Sequence, residues 1–92
     1  MKAQFAVEIA QDALLWLTTN PEAFKGFLGV SGASPGDARN GRNDPEFLGF
    51  VLDYLLMSDE MVLDFSTSAG VEPTLPAAAR AALPGGSLPN WT

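Results

Sequence analysis

Asp44-Pro45-Glu46-Phe47-Leu48-Gly49-Phe50-Val51-Leu52-Asp53-Tyr54-Leu55-Leu56-Met57, at the centre of a 92-residue chain, decides the fold. Asp44 can accept a hydrogen bond from a first-turn amide. Pro45 takes the helical position where a missing N–H costs nothing, and Glu46 puts negative charge at the positive end of the helix dipole. A helix therefore starts here. At about 100° per residue, only Glu46, Gly49, Asp53 and Met57 share one narrow sector, and apolar side chains fill the rest of the circumference. This pattern predicts a central helix with neighbours on nearly every side. Its greasy part, Phe47 to Met57, contains Asp53 and is well short of the roughly 20 apolar residues that span a bilayer.

The flanking sequence supplies the neighbours. Phe5, Ile9, Ala13, Trp16 and Leu17 recur at three- and four-residue steps from Gln4 to Thr18, widened by Ala6 and Ala10, with Glu8, Gln11 and Asp12 opposite. Asn20-Pro21-Glu22 reads as a cap, a proline and an acid opening a second helix, with Phe24, Phe27, Leu28 and Ser31 inward and Gly32 as its stop. Ser34 and Pro35 open a short third helix, about Pro35 to Asn40, of one or two turns. Ser58 caps a fifth, with Met61, Val62, Phe65 and Ala69 inward and Gly70 at its end. A sixth runs from about Thr74 to Leu83, before Pro84, Gly85 and Gly86. No alternation long enough for a strand occurs. The expected fold is all-α: a compact bundle of five or six short helices around the central one, in a single domain 1–92 whose residues 84–92 form an irregular tail. Trp91 in that tail is expected to fold back on the body, with display as a short linear motif as the alternative.

The pattern also echoes itself. An offset of 38 residues pairs Leu14 with Leu52, Trp16 with Tyr54, Leu17 with Leu55, Glu22 with Glu60, Phe27 with Phe65, Gly32 with Gly70 and Pro35 with Pro73, of which six are identities. Two readings meet this: an internal two-fold pseudo-repeat, about 9–39 and 47–77, or merely the caps and leucines that helical chains share. In the first, the first and fourth helices form the core pair.

Composition narrows the chemistry. Without cysteine or histidine there is no disulfide, no thiolate site and no imidazole base, so the chain is expected not to be an enzyme and to carry no catalytic residues, cofactor or metal. The formal charge of −6 gathers in the C-terminal half, where Arg80 is the one base after residue 45. Such a field disfavours nucleic acid and anionic lipid, and serves solubility. Asp53, Asp59, Glu60 and Asp64 lack the loop of an EF-hand, and the acids at a helix start are explained by its dipole. With no signal-like N-terminus and no apolar span, the default location is cytoplasmic.

Two leucines stand out. In the 38-residue alignment Leu15 falls opposite Asp53, and on its own helix it lies among Glu8, Gln11 and Asp12. Leu63 falls opposite Lys25 and points away from Met61, Val62 and Phe65. Single exposed leucines are ordinary on monomers, but a position that is polar in one half has no folding reason to be apolar in the other. Leu15 and Leu63 are the candidate interface, for a protein partner or for self-association as a homodimer. The alternative is a nucleic-acid contact through Arg39 and Arg42, because Ser34 to Asn43 follows a helix and a glycine turn as the second helix of a helix-turn-helix does. The acidic total and the scarcity of other bases weigh against it.

Asn20-Pro21-Glu22, Phe27-Leu28, Gly32 with Pro35, Asp44-Pro45 with Phe47-Leu48, Val51 to Leu56, Asp59-Glu60, Gly70 with Pro73, Ala82 to Gly86 and Trp91 together resemble a family of short bacterial proteins catalogued as a domain of unknown function. The resemblance covers nearly the whole chain and implies a small helical protein with no assigned catalytic residues. The chain departs from it around Ala38 to Asn43, where more helical residues are expected.

Overall fold

The computed structural model of the chain describes residues 1–84; the expected tail beyond Pro84, with Trp91, lies outside the described residues. Six α-helices run in order: α1 (Ala3–Thr18), α2 (Pro21–Ser31), α3 (Pro35–Asn40), α4 (Pro45–Leu56), α5 (Asp59–Ala69) and α6 (Leu75–Ala81), with one 3-10 turn, Gly41–Asn43, between α3 and α4. No strand occurs among the described residues. The all-α bundle is as the sequence predicts.

Side-chain caps set the starts of α3, α4 and α5. Asp44 Oδ1 accepts from the Glu46 amide at 3.0 Å, and Ser58 Oγ accepts from the Met61 amide at 3.2 Å. Ser34 Oγ accepts from the Asp37 amide at 3.1 Å while Asp37 Oδ2 accepts from the Ser34 amide at 3.0 Å, a reciprocal box that holds α3 in spite of its glycine. Ser34→Ala is expected to cost about 1 kcal/mol of unfolding free energy, read from urea denaturation followed by circular dichroism. A loss indistinguishable from zero contradicts this role for the cap.

Asn20 departs from its expected role. Its side chain makes no cap bond to α2; instead Nδ2 donates to the Trp16 carbonyl at 2.7 Å, closing the end of α1. Asn20 stands between two helix ends, and its side-chain N–H satisfies a carbonyl that the end of α1 leaves without an intrahelical partner. Gly32 and Gly70 end α2 and α5 at φ of 75° and 72°, where a Cβ would strain the backbone.

The core forms where α1 lies against α4, the most extensive pairing, with α6 packed on both. Ala6, Ile9, Ala10, Ala13, Leu14 and Leu17 of α1 face Leu48, Val51, Leu52 and Leu55 of α4, all buried. The small residues of α1 let the backbones come close, and the larger side chains of α4 fill the space. Phe65 of α5 packs edge-on against Trp16, with ring centres 6.2 Å apart. Phe27 of α2 packs in the same manner against Tyr54 and Phe47, each at 5.7 Å. The 38-residue offset carries Trp16 onto Tyr54 and Phe65 onto Phe27, so one aromatic pair maps onto the other.

Wrapping of α4 is incomplete, which corrects the helical-wheel expectation. Phe50 is 57% exposed, whereas Gly49, placed by the wheel in the open sector, is buried. The reason is Arg80: a Cβ at Gly49 would lie 2.8 Å from its Nη1, so the glycine lets the guanidinium lie flat on α4. From there Nε donates to Asp53 Oδ1 at 2.6 Å, Nη2 to Asp53 Oδ2 at 3.1 Å and Nη1 to the Pro84 carbonyl at 2.9 Å. The two-pronged pair fixes α6 on α4. It takes ground that the wheel had left to solvent, while Phe50, one residue on, stays exposed. Phe5, expected on the inner stripe of α1, is also exposed, as are Ser31 and Ala69.

Candidate functional site

A groove of about 430 Å³ opens between α1 and α3, lined by Leu14, Leu15 and Thr18 of α1, Phe24 of α2, Ala38 of α3 and the rim residues Asp12, Arg39 and Arg42. Leu14 and Ala38 are buried and make its floor; Leu15 is 65% exposed at its mouth. Local sequence builds each wall. The Ser34–Asp37 box sets the start of α3, so that Arg39 falls on its exposed last turn. Gln11 Nε2 donates to the Arg42 carbonyl at 2.7 Å and to Asn43 Oδ1 at 3.3 Å, which holds the 3-10 turn against α1. Gly41 makes that turn fit, since a Cβ there would come within 2.5 Å of the Phe47 ring.

Three of the four residues singled out in the sequence therefore meet: Leu15, Arg39 and Arg42 share one groove. The leucine chosen for interface contact and the arginines chosen for nucleic acid belong to a single surface. Leu63 is not among the lining residues; it is 54% exposed on α5, beside the exposed acids Asp59, Glu60 and Asp64.

The electrostatics of the groove are unbalanced. Among the described residues Arg80–Asp53 is the one ion pair, so neither Arg39 nor Arg42 has a carboxylate within 4 Å, the Asp12 carboxylate on the same rim included. The 38-residue offset makes this more pointed, because it carries Arg42 onto Arg80, Leu15 onto Asp53 and Gln11 onto Gly49. Where the second half has a carboxylate for its arginine, the first half has an exposed leucine. Where a glycine lets Arg80 lie down on its helix, Gln11 occupies the space with its own hydrogen bonds to the turn.

Sequence reading missed a second apolar surface. Val30, Phe50 and Met57, 65%, 57% and 69% exposed, line a groove of about 280 Å³ between α2 and α4, floored by Phe27 and Tyr54. A signal for it was present: the same alignment that sets Leu15 against Asp53 sets Phe50 against Asp12, a residue on the polar face of α1. The apolar wheel of α4 masked that signal.

Among the described residues no three acids gather as a metal-binding group, and no helix is long and apolar enough to cross a membrane. The family model described as Protein of unknown function (DUF3572) matches residues 3–86. No curated protein and no solved structure matches the chain.

Proposed function

The chain belongs to the family Protein of unknown function (DUF3572), and we propose that it acts as a non-enzymatic interaction module that pairs with a second copy of itself through the Leu15 groove. The observation that carries this reading is the exposed Leu15 over an apolar floor, flanked by two arginines that have no counter-ion among the described residues. Charge complementarity selects the occupant. The α5 ridge presents Leu63 among Asp59, Glu60 and Asp64, an apolar knob with acids around it that matches an apolar groove with bases around it. Burying leucine against leucine supplies the gain from apolar area, and opposite charges fix the register and disfavour wrong partners. Each copy carries both groove and ridge, so a two-fold dimer uses each contact twice.

Light scattering tests this. The wild-type protein is expected to be dimeric at high micromolar concentration, and both Leu15→Glu and Leu63→Lys are expected to be monomeric with unchanged circular dichroism. A wild-type monomer under those conditions, or variants that dimerise as it does, overturns the reading. The helix-turn-helix alternative makes a separate demand, DNA affinity that falls steeply with salt. Two unpaired arginines on an otherwise acidic chain give that reading little charge to work with.

A further inference from the structure

The comparison between Arg42 and Arg80 supports a more specific assignment, which rests on the self-association reading for the source of the ligand. We infer that Arg42 is a carboxylate-binding residue, taking an acidic side chain from the α5 ridge of the second copy into the place that Asp53 occupies for Arg80.

In the second half of the chain, the contact is complete within the protein. Asp53 and Arg80 meet through two hydrogen bonds, at 2.6 and 3.1 Å, one from Nε and one from Nη2. That side-on fork suits a carboxylate, since two parallel N–H groups match its two oxygens. The same 38-residue offset, carried on past the echo, sets Arg42 against Arg80 and Leu15 against Asp53, and Leu15 and Arg42 line one groove as Asp53 and Arg80 meet in one contact, with an apolar side chain where the carboxylate would stand. Gln11, in the place of Gly49, bonds to the backbone carbonyl of Arg42 and to Asn43, so the turn that carries Arg42 is held while its side chain is left on the groove rim.

The resulting site asks for two features in one ligand: a carboxylate for Arg42, and an apolar group next to it for Leu15, Leu14 and Phe24. The α5 ridge offers both in adjacent residues, Leu63 and Asp64, with Glu60 one turn earlier on the same face. The Asp12 carboxylate lines the same groove and opposes a second negative charge, which favours a single carboxylate in the slot over a doubly charged group such as a phosphate.

The test uses the arginine Nε–Hε signals of the ¹⁵N-labelled protein and, as probe, hexanoate, with hexanol as its uncharged match. The Leu63→Lys variant serves for the titration, since its own ridge no longer competes. Hexanoate is expected to shift the Arg42 signal saturably and to leave that of Arg80 in place, and hexanol to leave both unmoved. In Gln11→Gly/Leu15→Asp, which installs the Arg80–Asp53 arrangement in the first half, the Arg42 response is expected to vanish and dimerisation to weaken at least tenfold. The companion Gln11→Gly/Leu15→Asn, which supplies no charge, is expected to keep a saturable hexanoate response, weakened by the loss of the Leu15 side chain and of the Gln11 bonds to the turn.

An Arg42 signal that moves no more with hexanoate than with hexanol overturns the carboxylate site, whatever the oligomeric state. So does a hexanoate response that persists in Gln11→Gly/Leu15→Asp. A wild-type protein that is monomeric at high micromolar concentration while its Arg42 still responds to hexanoate removes the second copy as the source and leaves the carboxylate site standing, so the two failures are distinguishable.

Discussion

Phe27→Ala is expected to remove about 3–5 kcal/mol of folding free energy, among the largest losses from any single truncation outside the α1–α4 contact. Phe27 is fully buried, meets the rings of Phe47 and Tyr54 edge-on, and is the one fully buried side chain that α2 contributes. Removing it takes away both aromatic contacts and leaves a void that α2, joined to α1 by a short turn, has little freedom to fill. A chain of this size has about 5–14 kcal/mol of stability in all, so the urea midpoint is expected to fall by about a fifth or more. A loss below about 1 kcal/mol means that α2 is not anchored as described. Because Phe27 and Tyr54 also floor the Val30–Phe50–Met57 groove, the same variant is expected to disturb that surface more than the Leu15 groove, to which α2 contributes Phe24.

The helices were legible in the sequence because their boundaries are local. Asp44, Ser34 and Ser58 accept bonds from amides two or three residues ahead, and Gly32 and Gly70 stop helices by their own conformational freedom. Asn20 was misread because one side chain stood between two helix ends and either could claim it. Phe50 was misread for a different reason. A helical wheel reports which side chains are apolar, and the face that is covered depends on Arg80, which reaches α4 from 27 residues away. Leu15 was legible by comparison between the two halves of the chain; that Arg39 and Arg42 would stand beside it was not, since their meeting depends on Gln11 drawing the 3-10 turn onto α1.

Arg39→Glu/Arg42→Glu is expected to weaken self-association at least tenfold while leaving the fold intact. Both side chains are exposed, neither holds an ion pair among the described residues, and the change turns two attractions for an acidic ridge into two repulsions. Close charge pairs at interfaces carry about 1.5 kcal/mol or more each, and about 1.4 kcal/mol is a factor of ten in affinity. Added salt is expected to weaken the wild-type dimer in the same direction, because the rim charges are screened over about 10 Å at 0.1 M. Glu60→Lys/Asp64→Lys on the ridge is expected to match the groove variant in effect. An unchanged dimer in either double variant removes charge complementarity from the account and leaves only apolar contact.

Pairing of groove with ridge is tested most directly by mixing those two variants in equal amounts and following sedimentation velocity. The acidic groove of one accepts the basic ridge of the other, and the native groove of the second accepts the native ridge of the first. Each variant alone should sediment as a monomer and the mixture as a 1:1 heterodimer; a mixture that remains monomeric while the wild-type protein dimerises contradicts the pairing.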